Sequence, residues 1–198
     1  MTSIPIDLKN KALETTTINA AVVCPNEESV LLAVKEAKEI NLINPILIGK
    51  KSLIEKTANQ VNLKINSYNI IEINNEQEAA TVACKLAHED KVKIIIKGNL
   101  HTDILMRYYL KKKFNLIVGR RLSHIWHMTA QKLNKPLFIT DGALNVLPRV
   151  EIKLQILKNA VDFCNKLNIF KPKVAILSGT EDPIDSMPSS IEAQKVME

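Results

Sequence analysis

The 198-residue chain is 46% hydrophobic and 24% charged, ordinary for a globular protein. No apolar run approaches the roughly 18 residues of a membrane span, and the opening MTSIPIDLKNK lacks the apolar centre of a secretory leader, so a cytoplasmic protein without a membrane partner is expected. The net charge of +6 admits an anionic ligand, but the basic residues are scattered and only 4% of residues are aromatic, so no nucleic-acid partner is expected.

Three cysteines, Cys24, Cys84 and Cys164, are widely spaced and form no CxxC pair. They read as reduced, mostly buried thiols, neither disulfides nor metal ligands.

Along the chain, helical and strand patterns alternate. Residues 27–40, EESVLLAVKEAKEI, place Val30, Val34 and Ala37 on one helical face behind an acidic first turn. "NPILIG" then reads as a short strand opened by Pro45 and closed by Gly49. A helix near Ser52 to Gln60 precedes the strand "NIIEI", and a helix over 75–88 carries Ala79, Val82 and Leu86 in register. "VKIIIKG" is apolar on both faces, as suits a central parallel strand covered on each side. The following helix, N-capped by Thr102, carries Ile104, Leu105, Tyr108 and Tyr109 inward and Lys111 to Lys113 on its last turn.

Beyond it, "LSHIWHM" and "PLFITD" read as strands. A long helix over 149–167 buries Ile152, Ile156, Ala160 and Phe163 or their neighbours, and "KPKVAILSG" follows as another strand. "MPSSIEAQKVME" opens a last helix, with Ser189 and Glu192 at capping-box spacing. Only about two turns remain before Glu198, too few for a stable isolated helix, so an incomplete chain is expected. Alternation without hairpin signals predicts a three-layer α/β fold, its mostly parallel sheet flanked by helices on both faces. The expected division is a first domain over 1–135 and the start of a second, truncated one over 136–198.

Ligands of open α/β sheets collect beyond the carboxyl ends of the strands. Lys97, Gly98, His101 and Thr102 lie at such an end. Gly98 allows a tight turn and a close approach, and Lys97 supplies charge beside the amides of a helix start. Asp103 opposes an anion there, and Lys97 and His101 are equally readable as a snorkelling lysine and a turn histidine. "GRRLSH" offers Arg120, Arg121, Ser123 and His124. Paired arginines match phosphate oxygens, yet they are also common solvated surface residues. "ITDGALN" ends a strand with Thr140 and Asp141, followed by Asn145; the aspartate either caps its turn or faces a ligand. His124 and His127 would point to opposite strand faces, against a metal site. Ser178 and Thr180 in "LSGTEDP" suit a turn.

No GxSxG, HExxH, GxGxxG after a leading strand, or Walker loop is present. A covalent enzyme intermediate thus finds no support. Small and cationic groups at several strand ends suggest catalysis by positioning and electrostatics.

Taken together, "KGNLHTDILMR", "GRRLSHIWHM", "ITDGALNVLP" and "KVAILSGTEDPIDSMPSSIEAQ" resemble, in order and spacing, the phosphate acetyltransferase and phosphate butyryltransferase family. The similarity runs from about Ala20 to the last residue, the amino-terminal two-thirds of the family's length. It implies a two-domain fold like isocitrate and isopropylmalate dehydrogenases, with the active site in an interdomain cleft. The implied reaction converts acyl-CoA (acetyl or butyryl) and inorganic phosphate to acyl phosphate and CoA by direct attack, without metal or prosthetic group. Under this resemblance Lys97, Gly98, His101 and Thr102 line the site, and Arg107, Arg120 and Arg121 supply positive charge. Ser123, Asp141 and Asn145 sit nearby. A homodimer or a complementing chain is the implied partner. The alternative is a truncated, non-catalytic remnant that binds CoA-like or phosphorylated ligands, or a partner chain.

Overall fold

A computed structural model describes residues 5–117, 119–129 and 135–198. The chain divides into two units, Met1–Val118 and Gly119–Glu198. That division precedes the boundary at 135 expected from the sequence. Residues 130–134, beside the expected boundary, lie outside the described residues.

The first unit carries helix α1 (Ile6–Leu13), strand β1 (Ile18–Val23), α2 (Glu28–Glu39), β2 (Ile43–Gly49) and α3 (Lys51–Gln60). It continues with β3 (Asn69–Glu72), α4 (Glu76–His88), β4 (Ile94–Lys97) and α5 (Thr102–Tyr109). The four strands form a parallel sheet in the order β3-β2-β1-β4. β1 was not recognised in the sequence. INAAVV is short and three of its first four residues are Asn or Ala, so it carries little strand signal. Nevertheless Ala20 to Val23 are all fully buried, and the sheet is built around them. β4, expected to be central, is the edge of the four-stranded order.

Strand alternation sorts the core into two layers. Ala21, Val23 and Ile48 pack with Ala79, Ala80 and Ala83 of α4 and Leu105 of α5. Val22 and Leu47 face the other way, onto Leu31 and Val34 of α2 and Ile54 and Ala58 of α3. Helices therefore cover both faces, and each large aliphatic side chain so buried contributes about 1.5–3 kcal/mol. The alanine triplet of α4 keeps that helix close to the sheet. Asn75 caps α4: its Oδ1 accepts from the Glu78 amide at 2.7 Å, and its Nδ2 donates to Glu78 Oε2 at 3.1 Å. Such a cap is worth about 1 kcal/mol.

The second unit has β5 (Trp126–Met128), β6 (Leu137–Ile139), α6 (Val150–Lys166) and α7 (Pro188–Met197). β5 and β6 pair antiparallel, Trp126 opposite Ile139 and Met128 opposite Leu137, so this small sheet departs from the parallel expectation. His127 and Phe138 stack edge-on, and Phe138 meets Phe163 of α6 at 5.7 Å. α6 buries Ile156 and Cys164 and packs on α7, tied by Lys153 Nζ donating to Glu192 Oε2 at 2.6 Å.

Two expectations fail here. Among the described residues Lys173–Ser178 pairs with no strand, although KVAIL is apolar enough for one. The expected capping box is also absent. Pro188 starts the helix itself, so Ser189 falls inside it and bonds Ser178 Oγ, while Glu192 is taken by Lys153. Ser190 instead secures the turn before α7, its Oγ accepting from the Ile184 amide and donating to the Met187 carbonyl.

Candidate functional site

The residues singled out from the sequence form two clusters, one in each unit. In the first, β1 and β4 end side by side. The Gly98 amide donates to the Val23 carbonyl, and the Asn99 amide to the Cys24 carbonyl, both at 2.8 Å. A Cβ on Gly98 would lie 2.6 Å from the Val23 oxygen and 2.4 Å from the Cys24 oxygen, so only glycine fits. Cys24 itself turns the chain at φ +51°. Burial, reinforced by the Glu76 carboxylate, pushes its thiol up to about 11, so it is neutral at physiological pH.

Lys97 is exposed, and its Nζ folds back to donate to the carbonyls of Gly98 (3.1 Å) and Leu100 (2.9 Å). It thereby stiffens the loop between β4 and α5. His101, the residue before α5, and Thr102, its first residue, are both exposed on that loop; no side chain caps the helix, so Thr102 is not the expected N-cap. Arg107 lies further along α5 and pairs with Asp103 at 3.5 Å, both side chains open to solvent. An exposed pair of this kind contributes little to stability and leaves the guanidinium available. Beside the loop a groove of about 420 Å³ runs between α2 and β4, lined by Val30, Ala33, Val34, Ala37, Ile96 and Lys97. The structure thus brings Lys97, Gly98, His101 and Thr102 together and leaves Arg107 on the helix surface.

The second cluster is a hydrogen-bonded network. Asp141 Oδ1 accepts from the amides of Ala143 and Leu144, each at 3.0 Å, closing the turn after β6. Its Oδ2 accepts from Asn145 Nδ2, which also donates to the Leu122 carbonyl at 2.9 Å. Burial alone would raise the Asp141 carboxyl, but the two amides and Asn145 outweigh it and hold the group below its usual range. Asn145 Oδ1 in turn accepts from Arg121 Nε at 2.7 Å. Asp141, Asn145 and Arg121 therefore form one chain of contacts from a carboxylate to a guanidinium.

The second cluster also includes residues that the sequence reading passed over. Gln155 Oε1 accepts from the Arg121 amide at 2.8 Å, and Asn159 Nδ2 donates to the Arg121 carbonyl and to Ser123 Oγ at 2.8 and 2.9 Å. Asp162 pairs with Arg120 and is thereby held below the usual aspartate range. Gln155, Asn159 and Asp162 occupy one stripe of α6, a spacing of four and then three that marks a helix face. The available signal was that polar stripe beside the apolar one, indistinguishable in sequence from an ordinary wet face. Arg120 and Arg121 thus have different surroundings: Arg120 has a carboxylate partner, whereas among the described residues no ion pair engages Arg121. Thr140 Oγ1 donates to the His124 carbonyl at 2.6 Å, and Thr180 Oγ1 accepts from the Asp182 amide, the expected turn role. Among the described residues no group of three His, Cys, Asp or Glu side chains could hold a metal ion.

Two loops carrying cations, one after β4 and one braced by the turn after β6, suit anion recognition. A sequence model of the phosphate acetyl/butaryl transferase family matches residues 75–198, which include every residue of both clusters except Val23, Cys24 and the Val30–Ala37 wall of the groove. The chain belongs to this family. It is 36% identical to the phosphate acetyltransferase of Rickettsia felis over 95% of its own length and 54% of that relative's. Against the phosphate butyryltransferase of Clostridium beijerinckii it is 32% identical, over 94% of this chain and 62% of the relative. The chain spans about half the length of several curated phosphate acetyltransferases that it matches. Its fold is that of solved phosphotransacylases. A branched-chain phosphotransacylase from Enterococcus faecalis V583 superposes with a TM-score of 0.74 at 24% identity, over 91% of this chain and 63% of that one. A phosphotransacetylase from Streptococcus pyogenes gives 0.76 at 16% identity, over 98% and 69%. The mostly parallel α/β expectation holds at this level, and no described helix is long and apolar enough to cross a membrane.

Proposed function

We propose that this chain takes part in phosphate acyl transfer, in which acyl-CoA and inorganic phosphate give acyl phosphate and CoA. A phosphate oxygen attacks the thioester carbonyl, the C–O bond forms as the C–S bond breaks, and the thiolate leaves and takes up a proton. The observation that carries the reading is Arg121. It lies in a family whose members are named for this transfer, and Asn145, itself held by Asp141, accepts from its Nε while no described carboxylate occupies it. A guanidinium held in that way offers two parallel N–H donors to a phosphate, or to an oxyanion developing at the carbonyl.

In this reading Arg121 is the anion ligand, Arg107 supplies further positive charge, and Lys97, Gly98, His101 and Thr102 form a polar substrate-binding loop of the first unit. Ser123, Asp141 and Asn145 shape the Arg121 loop, and Arg120 contributes field rather than contact. Acetyl and butyryl groups are the acyl classes named by the relatives. The reaction needs no redox step and balances with acyl-CoA and phosphate alone, so no metal or prosthetic group is invoked. An isocitrate and isopropylmalate dehydrogenase-like plan, a cytoplasmic setting and a homodimer or complementing chain complete the proposal.

The test is thiol release from acetyl-CoA and butyryl-CoA with and without phosphate, using the full chain. Phosphate-dependent release is expected with at least one of them. CoA binding without any release would instead favour a non-catalytic ligand binder.

A further inference from the structure

Arg121 is held at three points, and two of them come from a single helix face. Its amide hydrogen is taken by Gln155 Oε1 (2.8 Å) and its carbonyl by Asn159 Nδ2 (2.8 Å), residues one turn apart on α6. The third point is Asn145 on Nε at 2.7 Å. Farther along the same stripe, Asp162 engages the neighbouring Arg120. We propose that Gln155 and Asn159 are positioning residues: they fix the Arg121 backbone on both sides so that its guanidinium, steered by Asn145, presents a preset fork to a phosphate group. The proposal rests on the reading of Arg121 as an anion ligand.

The physical case is one of pre-organisation. An arginine side chain on a mobile loop loses much of its rotamer freedom on binding an anion, and a fork already aimed loses less. Each grip also does a different thing. The backbone grips set where the side chain starts, and the Nε grip sets the plane of the guanidinium. Asn159 additionally donates to Ser123 Oγ at 2.9 Å, spanning the loop from Arg121 to Ser123 with one amide group. The arginine pair is therefore unequal: α6 supplies a counter-charge to Arg120 and only neutral partners to Arg121. A carboxylate at 155 or 159 would cancel the charge Arg121 offers, whereas an amide orients it without neutralising it.

The phosphate could be inorganic phosphate or a phosphate group of CoA, and the experiment separates them. Binding of each, titrated singly into the full chain, is measured by calorimetry for wild type, Gln155→Met, Asn159→Leu, Arg121→Ala and the double variant Arg121→Ala/Asn159→Leu. Gln155→Met and Asn159→Leu are each expected to weaken the anion that Arg121 binds by roughly three- to thirtyfold. The double variant should be no weaker than Arg121→Ala alone, because a positioning residue has nothing left to position. A merely structural role would lower the melting temperature or the binding-competent fraction while leaving the dissociation constant of the folded molecules unchanged. Unchanged affinity in folded single variants overturns the proposal. So does full multiplication of the two effects in the double variant, or a wild type that binds neither phosphate nor CoA. Should Asn159→Leu fail to fold, Gln155→Met and its double with Arg121→Ala carry the same comparison. Because binding is read without turnover, an absence of thiol release would defeat the catalytic reading while leaving this coupling measurable.

Discussion

The two units of the chain are held together by different physics. In the first, Ala20 to Val23, Leu31, Leu47, Ile48 and the α4 alanines are sealed between helices and sheet. In the second, the described buried residues are Ile156, Cys164, Ser190, Ala193 and Val196, while Leu147 is 92% and Leu177 85% exposed. What orders the second unit around Arg121 is a polar network, running from Asp141 through Asn145 to the loop and back to α6. Apolar burial is non-directional and sets stability, whereas hydrogen bonds are directional and set geometry. The first unit therefore reads as the thermodynamic anchor, and the second as the place where aim matters.

The largest effects should come from the anchor. Leu47→Ala removes a fully buried side chain and is expected to destabilise by about 3–4 kcal/mol, seen in denaturant unfolding. Ile156→Ala, the matching cut in α6, should weigh less, about 2 kcal/mol, because its surroundings can relax into a thinner core. Equal losses would erase the contrast. Gly98→Ala falls between those two at about 2–3 kcal/mol, since its Cβ meets two backbone oxygens that can move only by parting β1 from β4.

Arg121→Ala should behave in the opposite sense: a melting temperature within a few degrees of wild type, and an apparent phosphate or CoA requirement raised about ten- to a hundredfold. A large loss of stability with unchanged affinity would make it a structural residue. The smallest signal is a titration. Folding lowers the Asp141 pKa from its ordinary 3.8, so the carboxylate favours the folded loop at neutral pH. That contribution is lost as the pH falls from 3.8 through the lower, folded value. The amide shifts of Ala143 and Leu144, both donors to this carboxylate, should titrate below 3.8 and lose the transition in Asp141→Asn. A midpoint at or above 3.8 would contradict the network.

Legibility in the sequence followed the same divide. β2, β4 and helices α2 to α6 were readable because amphipathic period and Pro or Gly punctuation agree there. β1 escaped because INAAVV draws its strand character from its place between β2 and β4, a tertiary fact. KVAIL carries strand propensity but has no described ladder to join, so propensity went unrealised. At the site, residues at strand ends could be named because a parallel sheet concentrates ligands at one edge. Gln155 and Asn159 could not, because a side chain that grips another loop's backbone looks, in sequence, like one that grips water.

The central claim, acyl transfer to phosphate, is tested most directly by product balance. Full chain, acetyl-CoA or butyryl-CoA and phosphate are incubated, CoA is measured as free thiol, and acyl phosphate is trapped with hydroxylamine as the hydroxamate. Equal amounts of both products, absent without phosphate and strongly reduced in Arg121→Ala, are expected. Thiol release without acyl phosphate, or acyl phosphate formation indifferent to Arg121, would contradict the account.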